Sequence, residues 1–209
     1  QAEDQAETLL LRLVRGTGTK GLGGIPARRG RIVRPLLGCT RAEIAAYLTV
    51  NGIPHVEDGT NEDESIARNR VRRRVLPELE SLNPRYAEAM GRTAALLRED
   101  DACLTALAED FLKSHFDGES LPLEALTSLP GPISSRVLRF LAPKSWERAH
   151  VDAALAFCKG EGFGELDLPW LRLRREQGRL WFTPQTRTEL PARPLLPGST
   201  VLVPELGLS

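Results

Sequence analysis

The 209-residue chain is sparing with the residues that carry metal, redox and membrane chemistry. It has three cysteines, three histidines and one methionine. Cys39, Cys103 and Cys158 form an odd set without pairwise metal spacing, which excludes a disulfide framework and reads as reduced, buried thiols. His55, His115 and His150 stand far apart with no partner at ligand spacing, so no metal residue is expected; His150 at a helix start reads as structural. No Gly-x-Ser-x-Gly, His-Glu-x-x-His or Cys-x-x-Cys occurs, which removes the commonest hydrolase and zinc readings. No stretch approaches the roughly 18 uncharged apolar residues of a membrane span, and no signal-peptide pattern opens the chain. A cytoplasmic protein with no membrane partner is the expectation. Repeats and low-complexity tracts are also missing. The chain opens at Gln1 rather than at a methionine and stops at Ser209 inside a strand-like run, so it reads as part of a longer protein.

What is present is ordinary in bulk: 41 % hydrophobic and 27 % charged, as in a folded globular chain of one large or two modest domains. The charge is unevenly placed. Residues 8–42 hold eight basic side chains and no acid. Residues 1–74 carry 13 basic against 9 acidic groups, a balance of +4, and the remainder carries 15 against 19, a balance of −4. The first third therefore either faces an anion such as a nucleotide or RNA backbone, or is a solvated basic face.

Helical periodicity from Asp4 to Arg15 puts Ala6, Leu9, Leu10 and Leu13 on one side and Asp4 with Glu7 on the other, and Gly16 suits the C-cap. A glycine-rich loop, residues 16–26, precedes an apolar run at 32–37 that reads as a strand ending near Pro35. Thr40 to Glu43 is a capping box for a helix closed by Asn51-Gly52. Strand, loop, helix and strand in that order point to an α/β layer. Turn residues mark a loop at Asp58–Asn61. A helix is expected from about Asp63 through Leu76, with a kink or new turn at Pro77. Asn83-Pro84 starts a long helix, and the domain boundary is placed there. Shorter helices are expected near 123–129, 133–141 and 150–157. A hairpin at 166–182 turns at Gln177-Gly178, then a proline linker at 191–198 precedes a further strand at 201–203.

Three features could carry chemistry. Asp4 and Glu7, one turn apart, can hold a cation, bind an ammonium group or accept a proton, or simply favour a helix start. The glycine loop with Arg15 and Lys20 could cradle phosphates through its N–H groups, although no Gly-Lys-Ser/Thr of a Walker A loop follows and most such loops are turns. Residues 68–74 hold five arginines and Asn69, with Ser65, Asn69 and Arg72 or Arg73 sharing a face; Glu62, Asp63 and Glu64 offset part of that charge.

The order of these pieces is more specific than any one of them. Asp4-Gln5-Ala6-Glu7-Thr8, Arg15-Gly16-Thr17-Gly18, Arg34-Pro35-Leu36-Leu37, Asp58 with Asn61, Arg68-Asn69-Arg70-Val71-Arg72 and Leu76-Pro77 together resemble the tRNA(Ile)-lysidine synthase family of PP-loop ATP pyrophosphatases. The resemblance is close over residues 1–84 and looser over 85–183. It implies an α/β fold: the remainder of a PP-loop nucleotide-hydrolase-like domain (1–84), then a mainly helical α+β substrate-binding domain with a terminal hairpin (85–188). A linker and the start of a further domain follow (189–209). The implied activity is ATP-dependent adenylation of the wobble cytidine of a tRNA(Ile) with a CAU anticodon, followed by attack of the ε-amine of free L-lysine. ATP and magnesium are the implied cofactors. Asp4 and Glu7 match the family's acidic helix motif and are assigned to lysine or magnesium positioning. Asn69 and Arg72 are assigned to the lysine or the activated base. Arg15, Lys20, Arg34, Arg68 and Arg70 are assigned to phosphate or tRNA contacts. The family's Ser-Gly-Gly-x-Asp-Ser loop does not occur in the chain, Glu3-Asp4 replaces its Asp-Asp pair, and Gln1 stands where a histidine is common. A PP-loop thiolase and a non-catalytic tRNA-binding module are the alternatives. The first usually needs paired cysteines or an iron–sulfur cluster, which the three scattered cysteines do not offer. The second needs none of Asp4, Glu7 and Asn69.

Overall fold

The computed structural model describes residues 1–54, 65–142 and 146–185. The expected loop at Asp58–Asn61, the helix start near Asp63, His55, the acids at 62–64, the proline linker and the strand at 201–203 lie outside the described residues. The chain divides into two compact units, one over Gln1–Ala106 and one beginning at Leu107.

The first unit opens with helix α1 (Ala2–Val14), ended by Gly16 at φ +72°, a conformation glycine adopts at no steric cost. A short helix α2 (Thr19–Leu22) leads to a two-residue hairpin, β1 (Arg28–Arg29) against β2 (Ile32–Val33). The strand ends before Pro35, as the proline indicates. Pro35, with no N–H for a ladder and a preset φ, starts a 3₁₀ turn over Pro35–Gly38. Helix α3 (Arg41–Val50) carries the expected capping box: the Glu43 N–H donates to Thr40 Oγ1 (3.2 Å) and the Thr40 N–H to Glu43 Oε2 (2.7 Å). That backbone donation holds the Glu43 carboxyl below its ordinary pKa.

Helix α4 (Ala67–Arg70) begins later than the sequence suggests, since Ser65 lies in a turn. It widens into a π turn over Val71–Val75 before α5 (Leu76–Leu82). Pro77 explains the widening, because its ring crowds the carbonyl four residues back and its nitrogen cannot donate. Asn83 caps the 30-residue α6 (Tyr86–His115), with Oδ1 accepting from the Arg85 N–H at 3.0 Å.

In the second unit, β3 (Ser120–Pro122), α7 (Leu123–Thr127), α8 (Gly131–Leu141) and α9 (Arg148–Cys158) precede β4 (Gly164–Leu168), β5 (Leu171–Glu176) and β6 (Arg179–Pro184). The four strands form an antiparallel sheet in the order β3-β6-β5-β4. Gln177 and Gly178 take φ +50° and +72° in the tight β5–β6 turn, the backbone of a primed hairpin. Alternation along β5 sends Leu171, Leu173 and Arg175 inward, where the leucines join Leu121, Leu126, Val137, Leu138, Val151 and Leu180 in the core. Buried Arg175 donates to the carbonyls of Phe157, Glu161 (2.7 Å) and Gly162 (2.8 Å), so a cation sits at the C-terminal end of α9 where the helix dipole favours it. The α/β mix is thus one of helices with antiparallel strands. His150 is structural, its Nδ1 accepting from the Glu147 N–H at the start of α9.

One expectation about the thiols fails. Only Cys158 is buried; Cys103 is exposed on α6 and Cys39 is half-buried. No helix among the described residues is long and apolar enough to cross a membrane.

Candidate active site

The chemistry gathers where α1 meets α4 and the π turn. Glu7 is wholly buried, contrary to the expectation of an outward carboxylate opposite the leucines; Leu13, placed on the buried side, is 60 % exposed. A lone buried carboxylate would be costly, and two guanidinium groups offset it. Arg68 Nε donates to Glu7 Oε2 at 2.6 Å, and Arg72 donates through Nε to Oε1 (2.6 Å) and through Nη2 to Oε2 (3.2 Å). Arg68 Nη2 also donates to Asp4 Oδ1 at 3.0 Å, and Arg72 Nη2 lies 3.6 Å from the same oxygen. The Arg72 pKa is raised, first by the hydrogen bond to Glu7.

The helical spacing of i and i+4 turns Arg68 and Arg72 towards the same partner. The clustered arginines are therefore tolerated partly because carboxylates more than sixty residues earlier neutralise two of them. That partner is not legible from the local spacing, which put Ser65 on the shared face. Asn69, next to Arg68, is buried at 7 % exposure.

Asp4 differs from Glu7 in keeping a third of its surface open. With Arg34 and Arg68 it lines a pocket of about 280 Å³ whose other walls include Ile25, Pro35, Leu36 and Leu37. Three residues singled out in the sequence thus meet at one cavity, and Glu7 and Arg72 meet directly behind it through Asp4 and Arg68. Arg15, Lys20 and Arg70 are exposed and lie outside that pocket's lining.

The glycine loop is a turn. The N–H groups of Gly21 and Leu22 donate to Gly18, that of Gly23 to Thr19, and that of Gly24 to Gly21, so they are spent inside the loop. Its carbonyls face basic residues: Arg12 Nη1 donates to Gly21 (2.7 Å) and Gly24 (3.1 Å), and Arg98 Nη1 donates to Gly23. Sequence reasoning missed Gln5, whose amide clamps Ile25 from both sides, donating to its carbonyl (2.7 Å) and accepting from its N–H (2.6 Å). Gly24 makes this possible. At φ +67° a Cβ there would fall 2.5 Å from the Gln5 amide oxygen. Nothing in the local residue pattern marks Gln5, because its partner is backbone.

Glu7 does not fit magnesium. Both of its oxygens are taken by guanidinium groups, which leaves none to coordinate a metal ion. No cluster of three or more His, Cys, Asp or Glu among the described residues could hold a metal ion.

Residues 1–79 match the PP-loop domain family and residues 121–181 match the TilS substrate-binding domain family. Among curated proteins the chain is similar to the tRNA(Ile)-lysidine synthase of Leifsonia xyli, 38 % identical over 88 % of this chain and 59 % of that protein. It is 36 % identical to the synthase of Geobacillus kaustophilus over 93 % of this chain and 47 % of that protein. The synthase of Nocardia farcinica is 36 % identical over 91 % of this chain and 63 % of its own length. The chain thus spans about half to three-fifths of the length of these relatives. Two domain families in sequential order, together with relatives that agree across most of the chain, point the same way: the chain carries a PP-loop domain followed by a TilS substrate-binding domain and is similar throughout to tRNA(Ile)-lysidine synthases.

Proposed function

We propose that the protein to which this chain belongs converts the wobble cytidine of CAU-anticodon tRNA(Ile) to lysidine, and that the Asp4 pocket receives the lysine. The reaction would couple adenylation of the carbon-2 oxygen of the base by ATP, with release of pyrophosphate, to attack at carbon 2 by the lysine ε-amine, with loss of a proton and release of AMP. The observation that carries this reading is the pairing of one accessible carboxylate, Asp4, with Arg34 and Arg68 around a small cavity walled by Ile25, Pro35, Leu36 and Leu37. Free lysine has a matching division of chemistry: a cationic end for Asp4, an α-carboxylate for a guanidinium, and an aliphatic stem for the apolar walls. Glu7 has no open oxygen to offer. Its proposed role is positioning, holding Arg68 and Arg72 so that Asp4 and Asn69 keep their places.

ATP belongs to the reading because the family is a PP-loop family. Magnesium is expected to accompany it, and no step is assigned to it through Asp4 or Glu7. The alternatives fare less well. The cysteines form no pair suited to a thiolase, and a passive RNA-binding module has no use for a buried carboxylate shared by two arginines behind a pocket.

The test is incorporation of labelled lysine into CAU tRNA(Ile) by the product of the full reading frame, with ATP and magnesium present. Incorporation that disappears in Asp4→Ala while the Tm holds supports the assignment. tRNA binding without incorporation by the unaltered protein would sink it and bring forward the binding module or a different modification.

A further inference from the structure

The hairpin formed by β1 and β2 has no part in the site described above, yet it stands on the site's wall. Ile25, just before it, and Arg34, at its far end, both line the Asp4 pocket. The base is pinned by Arg34, whose N–H donates to the Ala27 carbonyl (2.8 Å) and whose Nη1 donates to the Pro26 carbonyl (3.2 Å). At the tip, Gly30 takes φ +58° at the first central turn position, where a primed two-residue turn favours glycine. Arg28 Nε braces the tip by donating to the Gly30 carbonyl at 3.2 Å.

Every residue from Ala27 to Val33 is exposed. Arg28 faces Val33 across the ladder and Arg29 faces Ile32. Directly opposed residues share a face and neighbours along a strand alternate, so Arg28 and Arg29 lie on opposite faces while Arg31 occupies the tip. Ile32 and Val33 are 56 % and 62 % exposed. A protein core explains none of this. The hairpin lies within the stretch 8–42 that contains no acidic residue, so no carboxylate nearby in sequence offsets its three charges.

We infer that the β1–β2 hairpin is a wedge for RNA, its Arg28, Arg29 and Arg31 contacting phosphates on both sides of a nucleic-acid backbone whose reactive base enters the Asp4 pocket. The inference rests on the lysidine-synthase reading and adds to it a surface for the polyanion. Charge complementarity selects the occupant: three guanidinium groups on a thin, exposed element match closely spaced phosphates, and phosphate contacts fix register without reading sequence. Because Ile25 and Arg34 join the wedge to the pocket, holding the backbone at the hairpin sets how far a base can reach.

The experiment compares the full reading-frame protein with a triple variant, Arg28→Gln, Arg29→Gln and Arg31→Gln, in tRNA binding across a series of KCl concentrations. Each lost phosphate contact lowers the slope of log Kd against log salt by about 0.7–0.9, so a fall of about two units is expected. Affinity near physiological salt should weaken at least tenfold, while Tm and the lysine KM stay unchanged. The triple lysine variant should keep the slope, since a phosphate contact needs charge rather than the planar fork. An unchanged slope and affinity in the glutamine variant, with the unaltered protein active on tRNA, would overturn the wedge alone. If the unaltered protein neither binds nor modifies tRNA, the lysidine reading falls and the wedge with it.

Discussion

The two units bury opposite things. The second buries aliphatic side chains in quantity, with Leu121, Leu126, Leu138, Leu171, Leu173 and Leu180 all fully enclosed. The first encloses few large apolar groups; its buried set includes Ala2, Ala6 and Leu9 together with Gln5, Glu7 and Asn69. A leucine core needs only volume and pattern. A buried polar set needs each partner in place, because a donor or acceptor left alone costs more than the bond contributes. The first unit therefore gives up packing that would have been easy to encode in favour of fixed charges, and those charges border the pocket. The substitutions below break the contrast, starting with the largest effect.

Glu7→Ala should destabilise the first unit by about 3–5 kcal/mol, since it strands Arg68 and Arg72 beside a cavity. Glu7→Gln keeps the volume and should lose at least a hundredfold in kcat/KM through misplacement of the arginines. In the second unit Leu173→Ala should cost about 2–5 kcal/mol by cavity formation, with the lysine KM unaltered in whatever fraction stays folded. Urea unfolding beside steady-state kinetics distinguishes the two patterns. A Glu7→Gln enzyme with normal turnover would show that the buried charge is only structural.

Burial pushes the Cys158 thiol up to about 12 from an ordinary value near 9.0. The folded state favours the protonated thiol, so its contribution is complete below pH 9 and declines as pH rises from there towards 12. The unfolding free energy of the parent should fall more steeply over that alkaline range than that of Cys158→Ala, by an amount on the order of 1 kcal/mol per pH unit. Equal slopes would mean that the thiol ionises freely in the folded protein. Exposed Cys103 should react with a thiol reagent at neutral pH while Cys158 does not.

Smallest is the tight turn of the second unit. Gln177 sits at φ +50° where asparagine or glycine is favoured, so Gln177→Asn should stabilise by about 0.5 kcal/mol without touching activity. A lower Tm would show that the glutamine side chain has a local partner worth more than the backbone strain.

Legibility in the sequence followed the range of the interactions. The Thr40 capping box, the Asn83 cap, the Gln177-Gly178 turn and the alternation of β5 depend on residues a few positions apart, and each is where the sequence indicates. The three-residue strand β3 is too short for a period and exists because β6 pairs with it, Leu121 opposite Leu180. The strand that ends at Pro35 is equally local, because the proline itself stops the ladder, whereas the 3₁₀ turn that follows over Pro35–Gly38 has no comparable signal. In the site, Asp4, Arg34 and Arg68 were recognisable from residue type and motif order. The burial of Glu7 was not, because helical periodicity counts a carboxylate as outward and cannot see a cation sixty residues away. Gln5 stayed hidden for a related reason: its partners are the backbone groups of Ile25, and every residue type offers those.

The most direct measurement is the lysine KM of Asp4→Asn at saturating ATP and tRNA, beside the ATP KM of the same variant. Removing the one accessible carboxylate of the pocket while keeping its shape should raise the lysine KM at least tenfold and leave the ATP KM within twofold. An unchanged lysine KM with a raised ATP KM would contradict the account and move the amino acid to another site.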